Sequence, residues 1–410
     1  EDRGKFAEIC REPGVAAPPH GEAHDLAEAR SIAERIGYPI VVRPSYVLGG
    51  RAMEIVYGEN ELERFVTEAA AASPEHPVLL DRFLEGAIEV DVDAVCDGTD
   101  VFIGAVMEHI EEAGVHSGDS SCAIPPATLS DDEIAEVERI TRALARRLGV
   151  RGLLNIQLAV KDERVWVLEA NPRASRTVPF VSKVTGIPLA KVATRILLGA
   201  TLADLVAEGL VPADDRHYLR LPFTSVKAAV LPFGRFPGVD TVLGPEMRST
   251  GEVMGIDRSF EVAFAKSQLG GGTRVPRKGT VFVSVRESDK ARVVEVVKLL
   301  HSLGFKVIAT SGTQRFLSES GVPTEKINKV LEGRPHIVDA IMNGEVQLVF
   351  NTTEGPQALA DSRSLRRAAL LHKVPYYTTP SGAVAAAKGI RAYLDGDLEV
   401  RTLQSYFSEP

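Results

Sequence analysis

Gln157, Glu169 and Asn171, with Arg173 and Arg176 close behind, are the side chains whose types and spacing best suit phosphate chemistry. Three oxygen donors, one of them charged, match a hard cation such as Mg²⁺ or Mn²⁺, whose other positions are filled by phosphate oxygens and water. The stretch Leu153 to Phe180 holds no Cys and no His, which argues against zinc. A metal flanked by guanidinium groups is how proteins neutralise a transferring phosphoryl group. The spacing also fits an ordinary amphipathic hairpin followed by a solvated basic loop. Asn171-Pro172-Arg173 favours chemistry, because Pro turns the chain out of a strand at a defined point and Arg is poorly used in a merely solvated turn.

The elements around these residues must bring them together. Leu154, Ile156, Leu158 and Val160 alternate with Asn155, Gln157 and Ala159, the period of a strand with one apolar face. Lys161 to Arg164 reads as a turn, and Val165 to Asn171 returns as a second strand with Glu169 and Asn171 on one face. Pairing the two would converge Gln157, Glu169 and Asn171.

Upstream, residues 1–37 read as helical, with Asp25 to Ile36 at helical spacing before Gly37. Tyr38 to Pro44 reads as a strand, Ser45 to Met53 as a loop and Glu54 to Tyr57 as another strand. The Gly49-Gly50 pair could lay backbone N–H groups over polyphosphate, with Arg43 and Arg51 adding charge. A plain glycine-turn hairpin fits equally, and there is no GxxxxGK[ST] loop. Asn60 to Ala72 reads as a helix. Strands at Pro77 to Leu80 and Ile88 to Val95 flank Asp81 to Gly86, a hinge whose backbone could meet an adenine edge while a nearby acid holds ribose. A core hairpin with an exposed Glu is the alternative.

Met107 to Cys122 mixes acids, His and small residues and reads as a non-core loop. Its His-Ser-Gly-Asp has no GxSxG elbow to make a nucleophilic triad. Ser130 to Leu148 is a helix announced by its cap and acidic first turn. Ile187 to Ala207 reads as largely helical, Ser225 to Phe233 as a strand, and Phe236 to Gly255 as a loop before a short helix ending at Leu269.

Gly270 to Gly279 reads as a linker. After it, strands at 280–285, 305–309 and 346–350 alternate with helices at 289–303, 313–320, 335–343, 361–371 and 382–394. That alternation implies an α/β doubly wound parallel sheet, which binds ligands at the carboxyl ends of its strands. Thr310-Ser311-Gly312-Thr313 at a helix start and Asn351 to Gly355 after a strand are rich in small donors, with Lys290 and Lys329 available for charge. Such loops also serve simply as helix caps.

The chain has 410 residues, 44% hydrophobic and 25% charged, enough for two or three domains with proper cores. A net charge of −9 leaves no footprint for nucleic acid or an anionic membrane, so phosphate binding must be local. Three cysteines without a CxxC imply free thiols in a reducing cytoplasm. No apolar run is long enough to span a membrane, and EDRGKF is neither a signal peptide nor an initiator start, so a piece of a longer protein is expected.

LEANPRASRTVPFVSKVTGIPLAKVA, with VVRPSYVLGGRAMEIV before it and GPEMRSTGEVMG after it, resembles the carboxy-terminal half of the carbamoyl-phosphate synthetase large-subunit family. The resemblance runs the length of the chain. It implies an ATP-grasp domain over residues 1–272 without its upstream subdomain, a linker at 273–279, and a methylglyoxal-synthase-like regulatory domain at 280–410 without that catalytic activity. It implies phosphorylation of carbamate by ATP with Mg²⁺ or Mn²⁺, serving pyrimidine and arginine biosynthesis. Gln157, Glu169 and Asn171 become metal ligands, Gln157 and Glu169 nucleotide contacts as well, and Arg173 and Arg176 catalytic. Arg43 becomes a nucleotide contact, Gly49-Gly50 a lid, Arg82 and Leu84 base contacts, Glu89 a sugar contact, and Gly114, Val115, His116 and Ser117 the pocket wall. Glu111 and Asp119 become metal or effector contacts, with solvated loop acids as the alternative. Ser284, Lys290, Thr310, Thr313, Lys329, Asn351 and Thr353 become an effector site for UMP or IMP. The implied partners are the amino-terminal half of the same subunit and a glutaminase small subunit, in an oligomeric enzyme. Ala228 stands where ornithine-activated members carry Glu, which sets this chain apart from them.

Overall fold

The computed structural model describes residues 3–10, 15–45, 50–236, 240–353, 355–396 and 398–408. Residues 46–49, Gly49 among them, and 237–239, within the expected loop, lie outside the described set. The chain forms two compact units, the first from residues 1–225, 243–248 and 401–410, the second from 226–242 and 249–400.

The first unit opens with α1 (Arg3–Cys10), β1 (His20–Ala23), α2 (Leu26–Ile36), β2 (Ile40–Pro44), β3 (Glu54–Val56), α3 (Glu59–Ala72) and β4 (Val78–Arg82). Helix α2 stands where its period placed it, capped by the Asp25 carboxylate accepting from Glu28 N at 2.8 Å. Strand β1 corrects the helical reading of residues 1–37. It is too short to show a period, and its partner β4 lies far along the chain. The small sheet runs β1-β4-β2-β3. Its apolar face, with Ile40, Val42 and Leu80, packs on Ala33 of α2 and Leu62 and Phe65 of α3.

Next come β5 (Ile88–Asp97), β6 (Val101–Glu112), β7 (Cys122–Ile124), α4 (Asp131–Arg147), β8 (Arg151–Lys161), β9 (Arg164–Asn171), α5 (Val178–Thr185), α6 (Leu189–Leu197) and α7 (Leu202–Ala207). The strands stand in the order β7-β6-β5-β8-β9, every neighbour antiparallel. Met107 to Cys122 is corrected here: Met107, Glu108, His109 and Ile110 lie buried in β6, and Cys122 in β7. Their polar groups are tolerated because they are paired. Glu108 accepts from Thr128 Oγ1, Thr128 N and Leu129 N, and His109 meets Asp91 at 2.9 Å. Helix α5 also went unforeseen, hidden behind the basic turn. None of Cys10, Cys96 and Cys122 forms a disulfide, and all three are buried.

The second unit takes β10 (Thr224–Val230), β11 (Gly251–Asp257) and α8 (Phe260–Gly270) from before the glycine run. β11 corrects the loop expected through Gly255. The strand is mostly half-exposed with two glycines, so no alternation announced it. At Gly255 a Cβ would lie 1.9 Å from the Ala263 carbonyl oxygen, so only glycine lets β11 and α8 approach this closely. Beyond the run come β12 (Thr280–Ser284), α9 (Lys290–Ser302), β13 (Lys306–Ala309), α10 (Ser311–Glu319), β14 (Glu325–Lys326), α11 (Ile337–Met342), β15 (Leu348–Asn351), α12 (Gly355–Asp361), α13 (Arg363–Leu371), β16 (Tyr376–Tyr377) and α14 (Pro380–Asp395). The sheet β14-β13-β12-β15-β16 is parallel throughout, as expected for β12, β13 and β15; the edge strands β14 and β16, two residues each, are too short to have shown a period. Phe282, Ile308 and Val349 on its strands pack with Ile337 and Ile341 of α11 and Leu365 of α13. Tyr377 donates to Gln268 Oε1 at 3.2 Å, which ties α8 to this sheet.

Candidate functional site

Strands β5, β8 and β9 carry two transverse rows of polar side chains. Asp91 lies opposite Gln157, which lies opposite Glu169; one step along, Asp93 lies opposite Asn155, which lies opposite Asn171. Residues directly opposite in a ladder share a face, so Gln157, Glu169 and Asn171 meet as the alternation implied. Asn171 Nδ2 donates to Glu169 Oε1 at 2.6 Å, and Gln157 Nε2 donates to Ser117 Oγ at 3.1 Å. Arg43 of β2 approaches the same carboxylate, Nη1 to Glu169 Oε2 at 3.6 Å, while its Nε lies 3.1 Å from Asp81. The reverse faces of β8 and β9 supply Leu154, Ile156, Leu158 and Val167 to the core.

Asp91, Asp93 and Asn155 escaped the sequence analysis. The signal was Glu89-Val90-Asp91-Val92-Asp93, whose alternation puts three acids on one face; such a face is usually wet, but Asp91 and Asp93 are buried. Arg173 and Arg176 are exposed in the turn between β9 and α5, where Arg173 N donates to Asn171 O at 2.8 Å.

The hinge after β4 holds itself by backbone contacts. Arg82 N donates to Pro19 O at 2.7 Å, its guanidinium donates to Tyr38 O, and Leu84 O accepts from Ala87 N at 3.1 Å. Glu89 is largely buried, its carboxylate accepting from Gly114 N at 2.9 Å, and burial pushes its pKa up. His109 lies 3.5 Å from the same carboxylate. Beyond Gly114 and Val115, His116 N donates to Gly244 O at 2.8 Å, and burial lowers the His116 pKa. Asp119 Oδ2 accepts from Arg248 N at 2.7 Å, and Glu111 accepts from Ser121 N at 2.5 Å. Residues 243–248 therefore run beside the 114–119 loop, and Pro245 also abuts Gly50. Among the described residues no group of three or more His, Cys, Asp or Glu could hold a metal ion. The face shared by Gln157, Glu169 and Asn171 instead presents two carboxamides and one carboxylate, whose oxygens are of the kind a hard divalent ion takes.

In the second unit a cavity of about 410 Å³ opens at the carboxyl ends of the parallel strands. Ser284, Thr310, Lys329, Asn351 and Thr353 line it, as does Arg286. Thr313 is buried, within 3.3 Å of Val285 N, and Lys290 Nζ meets Glu287 at 2.5 Å; neither lines the cavity. Tyr376 donates to Asn351 Oδ1 at 2.6 Å. Ser362, on the lining, accepts from Arg366, which is 3% exposed and clasps Asp240 through bonds of 2.7 and 2.6 Å.

The fold of the first unit is that of the ATP-grasp class. Aligned over 64% of this chain and 63% of the other, at a TM-score of 0.52 and 19% identity, the chain is similar to the biotin carboxylase domain of Hydrogenobacter thermophilus 2-oxoglutarate carboxylase, crystallised with MgADP, ADP and bicarbonate. Residues 2–205 match the family model of the carbamoyl-phosphate synthase L chain ATP binding domain, and residues 292–378 match that of the MGS-like domain. The carbamoyl phosphate synthase large chain of Mesorhizobium japonicum is 54% identical over 100% of this chain and 36% of its own length. That of Mycobacterium tuberculosis strain H37Rv is 55% identical over 98% of this chain and 38% of its own. The chain belongs to the carbamoyl-phosphate synthase large-chain family, and it spans rather more than a third of those relatives. Among the described residues no helix is long and apolar enough to cross a membrane.

Proposed function

We propose that this chain carries the carbamate-phosphorylating half of a glutamine-hydrolysing carbamoyl-phosphate synthetase. What supports this, beyond family membership, is the face on which Gln157, Glu169 and Asn171 stand at the start of the turn bearing both arginines. A carbamate oxygen attacks the γ-phosphorus of ATP, forming one P–O bond as the bond to ADP breaks. Gln157, Glu169 and Asn171 would hold one or two Mg²⁺ or Mn²⁺ ions, which supply charge neutralisation at the β- and γ-phosphates. Arg173 and Arg176 bind the carboxylate-like acceptor and offset the charge of the transferring group. Arg43 and Gln157 contact the nucleotide beside Glu169. The backbone at Arg82 and Leu84 meets the base, Glu89 the ribose, and Gly114, Val115, His116 and Ser117 close the pocket. Catalysis is then positioning and electrostatics with no covalent enzyme intermediate.

Function divides along the chain into catalysis up to about residue 272, a linker at 273–279 and regulation over 280–410. The cavity lined by Ser284, Thr310, Lys329, Asn351 and Thr353 takes a nucleotide monophosphate, with UMP inhibiting and IMP activating; Lys290 and Thr313 support it from nearby. The full enzyme adds the amino-terminal half, a glutaminase small subunit and further copies, in the cytoplasm. A second reading, a nucleotide-binding piece with little activity alone, is favoured by the 36% of the Mesorhizobium relative that the chain spans.

ATP formation from MgADP and carbamoyl phosphate, assayed on this chain and on a full-length large chain containing it, tests both. Arg176→Ala should abolish the reaction while sparing nucleotide binding; turnover within a few-fold of the parent overturns the catalytic assignment. Activity in the long form alone would select the second reading.

A further inference from the structure

Asp93 is 0% exposed and accepts side-chain hydrogen bonds from both sides of the arginine-bearing turn. Ser175 Oγ donates to its Oδ1 at 2.7 Å, Thr177 Oγ1 to its Oδ2 at 2.6 Å, and Asn155 Nδ2 of β8 to Oδ1 at 3.0 Å. Ser175 and Thr177 flank Arg176 in sequence. Ser175 Oγ also accepts from Val178 N at 3.2 Å, the first residue of α5. One carboxylate on β5 thus fixes the residues before and after Arg176 and joins them to the strand that carries Gln157.

We propose that Asp93 is the positioning residue of the catalytic turn, holding Arg176 in register with the Gln157, Glu169 and Asn171 face. This rests on the phosphoryl-transfer reading above for its purpose, though not for its geometry. Its two oxygens are shared among three donors, so the turn has little freedom to swing while the group is ionised.

The electrostatics point the same way. Burial, only partly offset by bonds from Thr177, Ser175 and Asn155, pushes the Asp93 carboxyl up to about 6, and Asp91 on the same face adds to the rise. Asp91 is itself faced by His109 of β6. A carboxyl whose folded pKa is raised favours folding below its ordinary value and loses that contribution as pH rises through about 6. At neutral pH, therefore, the ionised group works against folding, and its use lies in what it holds.

The test compares the full chain with Asp93→Asn and with the double variant Ser175→Ala/Thr177→Val. Asparagine has one acceptor oxygen in place of two and no charge. In Asp93→Asn, amide exchange across 172–178 should quicken about tenfold with α4 unchanged. ATP formation should fall by about tenfold or more, with MgADP affinity within about twofold and no loss of melting temperature at neutral pH. The double variant should reproduce the faster exchange. In the parent, corrected exchange of the segment should rise as pH falls through about 6, a step absent from Asp93→Asn. Unchanged exchange in Asp93→Asn, or parallel losses of nucleotide affinity and melting temperature, would overturn the proposal. Absence of the reverse reaction from both this chain and the full-length large chain would sink the phosphoryl-transfer reading, while the exchange comparison would still decide the role of Asp93.

Discussion

Gln157 and Glu169 face each other across the β8–β9 ladder at the last regular pair before the register slips, since Leu158 pairs with Val167 and leaves Leu168 over. The extra residue makes a bulge in β9 just before Glu169 and Asn171. Glu169 contributes the sole carboxylate among the proposed metal donors. Replacing it by Gln should weaken Mg²⁺-dependent binding of an ATP analogue by about tenfold or more, roughly 1.4 kcal/mol, with little change in folding. Calorimetry with and without Mg²⁺ checks this, and an unaltered metal dependence would remove Glu169 from the site.

Gly50 has a φ of 69°, and a Cβ there would sit 1.9 Å from the Pro245 carbonyl oxygen. Gly50→Ala must push residue 50 off residues 243–248 or force the backbone to shift, at a cost of about 1–3 kcal/mol. Denaturant midpoints should report the loss, and nucleotide affinity should fall with it because Gly244 also binds His116. A neutral variant would mean that this contact is dispensable.

Asp240 and Arg366 form a two-point ion pair with the arginine almost wholly buried. Asp240→Asn strands that charge and should cost ~3 kcal/mol. Burial works against ionisation of Asp240, but the bonds and charge of Arg366 outweigh it and hold the carboxyl below its ordinary value. The pair's contribution is therefore complete above an unfolded pKa near 3.9 and is lost as pH falls through the lower folded value. Acid titrations of parent and variant should converge below that range; a constant gap would exclude the ionic term.

Lys329 offers a cation to the cavity that Thr310 and Asn351 line. Lys329→Met should weaken UMP binding by about tenfold while leaving the ATP analogue's affinity unaltered. Titrating UMP with and without the analogue measures coupling between the sites, which must be reciprocal. Independent binding would put the signal in segments beyond this chain.

Periodicity disclosed most of the longer local elements, though not α5 or β11. The β8–β9 hairpin, α2, α4 and strands β12, β13 and β15 of the second unit stand where spacing and caps put them. Much of the rest depended on partners far along the chain. β1 is recognisable only beside β4, and buried Glu108 and His109 look like loop residues until Thr128 and Asp91 are seen to satisfy them. Asp93 is the clearest case: its donors Ser175 and Thr177 lie 82 and 84 residues away. Sequence spacing found the arginines, but not what anchors them.

The two compact units trade the chain four times, at Ser225/Val226, Val242/Leu243, Arg248/Ser249 and Val400/Arg401. Neither unit is thus a single stretch of coding sequence. A gene fragment started at the glycine run would encode the parallel sheet but leave out β10, β11 and α8, uncovering Tyr377 and breaking the Asp240 clasp on Arg366. Shuffling this parallel sheet into another protein would mean carrying residues from both sides of the apparent boundary, so the part easiest to delimit on paper is hard to inherit separately.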